Sequence, residues 1–373
     1  MKGPYSAKED GAIQYQGNRI FPPIPDVRGK KFPRMDNRVY NVATGLIWPR
    51  IARINHRINR AAHDYFDRIG ALFTPVPLTT RMISSPGAYY GKPAAHTTDT
   101  LPHSIEWFDP ETRAFLSESA QIYLELALLQ RGVDQAYTIT NSFRREDANH
   151  THLSEFHHIE YEGKVEQERN KQVARGLLRS LLSHLLAHNQ EDLAHFLDDD
   201  ALKQIKELSE GKHLFEVSFE QALEALRKET GRDQYRQASI QYFGAWEEVK
   251  LTEIFGGMVE VNFFPLEEVP FYHAPAEDDP TKADNTDVIW PGYREIIGSG
   301  HRVWSVSQLE EKAEAFKLPK KDYAPYLEAR RLKGYQSTSG FGLGWERLLQ
   351  GLLSMPYIWS AVHFPRGHTT PEP

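Results

Sequence analysis

The chain has 373 residues, 40 % hydrophobic and 25 % charged, the composition of a globular protein with one large domain or two small ones. It contains no cysteine, which excludes disulfides, zinc fingers and any thiolate metal site. No apolar run approaches the ~18 residues of a membrane span, and the opening MKGPYSAKEDGAIQ lacks the apolar core of a signal peptide, so a soluble, cytoplasmic protein is expected. The net charge of −7 removes one argument for a nucleic-acid partner, although local patches matter more than the total.

Residues 1–40 are rich in Pro and Gly around FPPIPDVRGKKFPR and read as an extended arm with little regular structure. From Trp48 the apolar residues Ile51, Ile54, Ile58, Ala62, Tyr65, Phe66 and Ile69 recur at three and four. They predict an amphipathic helix closed by Gly70. Arg81 to His103 reads as a loop, and Phe115 to Arg131 as a strand turning into a helix. YTIT and FHHIEYEG read as two strands joined by a long loop. Lys164 to about Thr230 is mostly helical, with His184, His188 and His195 read as surface helix positions rather than metal ligands. Val249 to Pro265, Phe271 to His273 and Asp287 to Trp290 predict strands of an antiparallel sheet. VSQLEEKAEAF and YAPYLEARRLK predict helices, and VHFPRGHTTPEP a strand end and a frayed tail.

Two stretches carry chemistry. In FRREDANHTHLSEF, Phe143 to Phe156, Arg144 offers a planar fork suited to a phosphate. Glu146 can accept from an exocyclic amine, His152 can reach a terminal phosphate, and Phe156 gives a flat face for a purine. The alternative reading of this stretch alone is a polar hairpin with a solvated charge run. In SGFGLGWER, Ser339 to Arg347, glycines at alternate positions let a strand lie flat under a ligand, and Arg347 opens a helix.

Together these stretches resemble motifs 2 and 3 of the class II aminoacyl-tRNA synthetases, with the catalytic core of the asparaginyl-tRNA synthetases as the nearer match. TDVIWPGYREIIGSGHR is similar to that family's metal-binding strand segment and FLSESAQIYLE to its amino-acid-binding strand and helix. RIARINHRINRAAHDYFDRIGALFTPVPLTT is similar to the motif 1 helix and strand, with Pro77 at the motif proline. The resemblance runs from Asn41 to Arg366. It implies an α+β fold: an antiparallel sheet flanked by helices, with residues 1–40 as an arm, 41–373 as the catalytic domain and about 164–230 as a helical insertion. It also implies a homodimer built on the motif 1 helix and strand.

For the site, the resemblance implies that Arg144 holds the α-phosphate and the substrate carboxylate, Glu146 contacts the adenine amine, and Phe156 and Arg347 sandwich adenine. Arg347 and His152 reach the γ-phosphate, and Gly342 and Gly344 lie under the nucleotide. Asp287 and Glu295 are hard oxygen ligands for Mg²⁺, with Glu295 among the catalytic residues. Ser119, Gln121, Arg302 and Thr338 are placed at the substrate. Three departures stand out. No acid occupies TTRMISSPGA, where the family has a glutamate for the α-ammonium and Ser85 or Pro86 sits nearest. Ser337-Thr338-Ser339 replaces a Pro-His-Ser-like triplet. Thr151 stands where an Arg often precedes the His.

About forty residues cannot form the five-stranded barrel with which asparaginyl-tRNA synthetases read the anticodon. The expectation is therefore an ATP- and Mg²⁺-dependent, AMP-forming ligase. It would activate an amino acid or related small acid as an acyl-adenylate and pass it to ammonia or another amine, without tRNA. A truncated Asn- or Asp-type aminoacyl-tRNA ligase and a non-catalytic amino-acid or nucleotide sensor are the alternatives. The retained Arg144, Glu146, Glu295 and Arg347 speak against the sensor.

Overall fold

A computed structural model describes residues 4–21, 37–91, 100–109, 113–146 and 148–367. In chain order the strands are β1 (Tyr5–Ala7), β2 (Ile13–Tyr15), β3 (Asn18–Phe21), β4 (Leu72–Phe73), β5 (Thr79–Thr80), β6 (Ser104–Ile105), β7 (Ala114–Leu116), β8 (Gln135–Phe143), β9 (Glu155–Gly163), β10 (Leu214–Ser218), β11 (Met258–Asn262), β12 (Asn285–Ile289), β13 (Glu295–His301) and β14 (Ser339–Gly344). The helices are α1 (Arg38–Thr44), α2 (Trp48–Ile69), α3 (Gln121–Ala127), α4 (Gln167–His188), α5 (Gln190–Leu193), α6 (Asp199–Ser209), α7 (Phe219–Thr230), α8 (Ala245–Phe255), α9 (Val306–Ala315), α10 (Lys320–Ala329) and α11 (Trp345–Leu352).

One eight-stranded sheet, in the order β10-β11-β12-β13-β14-β9-β8-β4, organises the molecule. Its six central strands are antiparallel, and the edge pairs β10–β11 and β4–β8 are parallel. Behind it lie α2 and α4. Helix α2 buries Ile51, Ile54, Ile58, Ala61, Ala62 and Phe66, and ends at Gly70 with φ 78°, a left-handed turn that a side chain would resist. Helix α4 answers with Leu177, Leu181, Leu182 and Leu185, each fully buried. Each such side chain contributes roughly 1.5–3 kcal/mol relative to exposure. Ile159 and Tyr161 of β9 point into this same core. Small sheets β1-β2-β3 and β5-β7-β6 complete the α+β fold.

Several sequence expectations need correction. The arm is not extended over Tyr5–Phe21. Those residues form a three-stranded sheet that packs on the core, where Tyr15 Oη donates to Ser354 O (2.9 Å) and Trp246 Nε1 donates to Lys8 O (2.8 Å). Residues 22–36, from the PPIP stretch onward, lie outside the described residues. Lys164–Thr230 is mostly helical, with α4, α5, α6 and α7, and also holds the strand β10, which the sequence reading did not include; α4 backs the sheet and β10 extends its edge. Val249–Pro265 is a strand only over Met258–Asn262. The preceding residues are α8, opened where Gly244 N–H donates to Glu247 Oε2 (3.0 Å) and closed by Gly256 at φ 72°. Phe271–His273 is a turn with a single bridge from His273 to Arg302. At the C-terminus Arg366 bridges Glu155, and the frayed tail read at 368–373 lies outside the described residues.

His188 and His195 are exposed and His184 is half-buried. Among the described residues no group of three or more His, Asp or Glu could hold a metal, and no helix is long and apolar enough to cross a membrane.

Candidate active site

The open face of the sheet carries the site, and the pairing of β14 with β9 sets it out. Register places Gly340 opposite Glu162, Gly342 opposite Glu160 and Gly344 opposite His158. Strand alternation then turns Phe156, His158, Glu160 and Glu162 toward one face and Ile159 and Tyr161 toward the core. A Cβ on Gly340 would collide with the Glu162 carboxylate and with Tyr161 O, so glycine there makes room for a buried acid. At Gly342 and Gly344 a Cβ would meet nothing closer than 3.5 Å; the space over these two belongs to the cavity.

The wall of that cavity, about 260 Å³, includes Arg144, Glu146, His152, Phe156, Asp287, Glu295, Gly342, Gly344 and Arg347, together with apolar neighbours such as Leu153, Ile240, Phe243 and Phe264. A second cavity of about 200 Å³ has Ser119, Gln121 and Arg302 in its wall, and shares Arg144, His158, Phe264, Asp287, Glu295 and Gly342 with the first. The six shared residues make the two cavities neighbours across Arg144. Thr338 does not line either. It lies behind the second cavity, where its Oγ1 donates to Glu162 (2.8 Å).

Arg144 lies over the Phe156 ring at 5.4 Å, and its Nε is buried with no hydrogen-bond partner. A buried guanidinium nitrogen without an acceptor is costly and suits an anion that arrives later. Arg347 donates to Glu295 O (2.7 Å). Arg294 pairs bidentately with Glu248 at 2.7 and 3.1 Å, and Glu248 also accepts from Glu295 N–H (2.8 Å). Burial would raise the Glu248 carboxyl, but Arg294 holds it below its ordinary value. This pair fixes the strand position from which Glu295 projects.

His152 is half-buried in the cavity wall, and its desolvation together with Arg294 and Arg347 holds it well below its ordinary pKa, hence neutral. Its Nδ1 lies 2.9 Å from Asn149 Oδ1, an oxygen that already accepts from Thr151 N–H (3.0 Å). The Nδ1 therefore carries the proton and Nε2 does not. In this state His152 is not yet a phosphate donor; it becomes one on gaining a proton or changing tautomer.

The carboxylates of Asp287 and Glu295 converge over Gly298, whose Cβ would lie 2.9 Å from one and 3.7 Å from the other. Burial, then Glu295 and Glu248, push Asp287 well above its ordinary pKa. Two acids forced together in a site kept open by a glycine fit Mg²⁺, which takes one or two carboxylates and completes its shell with phosphate oxygens and water.

Around the smaller cavity lie acids that sequence reading missed. Glu160 is fully buried and accepts from Ser119 Oγ, Ala120 N–H (2.6 Å) and Gln121 Nε2 (3.4 Å). Glu118 accepts from Ser85 N–H (2.9 Å). Hence the region of Ser85, acid-free in sequence, is served by acids from other elements. Arg302 is buried too. It pairs bidentately with Glu162 at 2.9 and 3.0 Å, donates to Gln121 Oε1, and lies 5.0 Å over the Tyr272 ring. Burial raises the Glu162 carboxyl and Arg302 pulls it back; burial opposes the Arg302 charge and Glu162 more than offsets that. Of Ser337-Thr338-Ser339, Thr338 supports Glu162 and Ser339 bonds His301 Nδ1 (2.8 Å). The one available signal for Glu160 and Glu162 was their period-two spacing with Phe156 and His158, which ordinarily marks a solvent face.

The profile of the tRNA synthetases class II (D, K and N) matches residues 34–368. The asparagine–tRNA ligase of Thermus thermophilus is 31 % identical over 329 residues, covering 87 % of this chain and 70 % of that protein. That of Pyrococcus abyssi is 30 % identical over 330 residues, covering 85 % and 68 %. The crystal structure of asparaginyl-tRNA synthetase from Pyrococcus horikoshii complexed with asparaginyl-adenylate superposes with a TM-score of 0.80 at 27 % identity, covering 100 % of this chain and 83 % of that one. The Entamoeba histolytica asparaginyl-tRNA synthetase shares the fold at a TM-score of 0.74 and 19 % identity, covering 91 % and 72 %. With the sheet, the paired cavities and these likenesses in agreement, this chain belongs to the class II tRNA synthetase family of the D, K and N type, with an asparaginyl/aspartyl-like catalytic core.

Proposed function

We propose that this protein is an ATP-dependent, AMP-forming ligase that activates the carboxylate of an amino acid or related small acid and passes the acyl group to ammonia or a small amine without tRNA. The observation that carries the adenylation reading is Arg144, whose unpartnered Nε stands where the two cavities meet. An acid in the smaller cavity and a triphosphate in the larger one would both face it. The carboxylate oxygen attacks the α-phosphorus, the bond to the β-phosphate oxygen breaks, and pyrophosphate leaves. Arg144 and Arg347 hold the phosphates and neutralise their charge, so that catalysis is chiefly positioning and electrostatics. Asp287 and Glu295 would hold Mg²⁺, which supplies further neutralisation of phosphate charge. The amine then attacks the acyl carbon and AMP leaves.

Glu160 supplies the buried counter-charge that an α-ammonium requires. The excess of 51 acidic over 44 basic residues favours a small acceptor over a polynucleotide. A second reading, transfer to tRNA, is favoured by the identity with asparagine–tRNA ligases along 87 % of the chain.

Acid-dependent exchange of pyrophosphate into ATP tests the adenylation step. The wild type should exchange with at least one small amino acid, and Arg144→Ala should lower the rate by about 10²–10³-fold with the unfolding midpoint unchanged. Equal exchange by the variant would remove Arg144 from the reaction.

A further inference from the structure

Tyr5 belongs to the N-terminal sheet, yet it sits between segments that build the larger cavity. The sheet is fixed to the core at several points. Ala7 N–H donates to Glu253 Oε1 (2.8 Å), Trp246 Nε1 to Lys8 O (2.8 Å) and Tyr15 Oη to Ser354 O (2.9 Å). Tyr5 lies opposite Tyr15 in the pairing of β1 with β2, and is buried. Its ring meets Tyr293 edge-on at 4.5 Å and the His150 imidazole at 6.3 Å. Phe21 of β3 covers the same imidazole at 5.7 Å. Burial, with Arg294 and Arg347 near, pushes His150 down to about 3, so the ring is neutral and packs as an aromatic.

Both contacts lead to the phosphate side of the site. His150 precedes Thr151 and His152, and its carbonyl accepts from Ile358 N–H (2.9 Å) and from Gln350 Nε2 (2.9 Å). Gln350 follows Arg347 by one turn of α11 and is fully buried. Among the described residues its Oε1 has no partner, so the amide is oriented through Nε2 alone. The second hydrogen of Nε2 goes to Tyr5 Oη (3.2 Å), and that Oη in turn donates to Pro356 O. The amide is planar with two donor hydrogens, so Tyr5 on one of them aims the other at His150 O. On the other side of Tyr5, Tyr293 runs on into Arg294 and Glu295, both bonded to Glu248. One buried side chain thus braces the β8–β9 loop, α11 and the β12–β13 turn, which bring His152, Arg347, Arg294 and Glu295 to the larger cavity.

We propose that Tyr5 is a positioning residue for the β- and γ-phosphates of ATP, setting the β8–β9 loop through Gln350 and His150 and the β12–β13 turn through Tyr293. This rests on the reading of the larger cavity as the nucleotide site. Arg144 is fixed separately, at the end of β8, where its backbone N–H donates to Ser154 O (3.0 Å). The α-phosphate that Arg144 meets therefore lies outside the influence of Tyr5. On this account the N-terminal sheet is a working part of the site and not a cover for the core.

The test is calorimetric titration of ATP and of AMP, each with Mg²⁺, into the full chain as wild type, Tyr5→Ala and Tyr5→Phe. Acid-dependent pyrophosphate exchange is measured alongside. Tyr5→Ala should weaken ATP binding roughly ten-fold, the scale of a residue that acts through packed neighbours, and leave AMP binding unchanged. Tyr5→Phe keeps the ring and loses the bond to Gln350, so it should weaken ATP about three-fold, as one hydrogen bond does, again sparing AMP. In exchange, the KM for ATP should rise by the same factors while the KM for the acid stays unchanged. A merely structural role would lower the unfolding midpoint and weaken both nucleotides alike, or neither, and either result overturns the inference. So does a Tyr5→Phe protein that binds ATP as the wild type does, which decides the matter even if Tyr5→Ala fails to fold. A wild type that binds ATP no more tightly than AMP overturns it as well. Tight binding of ATP without exchange sinks the ligase reading alone, and Tyr5 is then judged on the titrations.

Discussion

At the scale of single residues the site is an arrangement of buried charge kept open by missing side chains. Gly340 and Gly344 look alike in SGFGLG, yet their surroundings differ. A methyl on Gly340 meets Tyr161 O and the Glu162 carboxylate, and backbone cannot yield. A methyl on Gly344 meets only Arg347 Cβ at 3.8 Å and Ile296 O at 4.0 Å, but stands in the larger cavity. Gly340→Ala should therefore destabilise the protein by about 1–3 kcal/mol, as overpacking does. Gly344→Ala should leave stability within roughly 0.5 kcal/mol and raise the KM for ATP. Denaturant midpoints and ATP saturation curves check both. Equal stability of the two variants would contradict the assignment. The residues that most surprised the sequence reading, Glu160 and Glu162, were hidden by this same geometry. Alternating polar residues in FHHIEYEG look like the wet face of a half-buried strand, and only the register against three glycines shows that this face is a pocket.

At the scale of elements, β9 and α11 are linked through Glu346, which accepts from His157 N–H (2.9 Å) and lies 2.6 Å from His157 Nδ1. The hydrogen bond to Glu346 raises the His157 pKa against the opposing effect of burial, with further help from the charges of Glu346 and Glu155. A raised histidine pKa stabilises the fold fully below the unfolded value of about 6.5. That contribution is lost as pH rises through the folded value. The advantage in melting temperature of wild type over His157→Gln should therefore be larger near pH 6 than near pH 9. An advantage that is constant or grows with pH would refute the link. His157 is half-exposed, so the effect is small. Elements with strong periodicity were legible. Helix α2 and its closing Gly70 follow from spacing alone, and β8 and β9 from their β-branched and aromatic content. Helix α8 was misread because Val249, Leu251, Thr252 and Ile254 favour a strand locally, while the turn at Gly244, bonded to Glu247, and burial of Trp246 decide for a helix. Strand β10 is five residues inside a helical region, and its pairing with β11 is information the local sequence does not hold.

At the scale of the molecule, the sheet ends at β4, where Leu72 and Phe73 remain 51 % and 49 % exposed. An exposed apolar edge strand invites association, and we expect it to lie at a homodimer contact. Sedimentation should give a dimer for the wild type and a monomer for Leu72→Lys combined with Phe73→Lys. A monomeric wild type at micromolar concentration would contradict this. The central claim is that the adenylate made in the paired cavities goes to a small amine rather than to tRNA. The most direct measurement is AMP and amide formation from ATP, Mg²⁺ and the preferred acid, with and without ammonia and with and without bulk tRNA. The account predicts amide and AMP in equal amounts whenever ammonia is present, unaffected by tRNA or by ribonuclease. Turnover that appears only with tRNA and yields an esterified tRNA would contradict it.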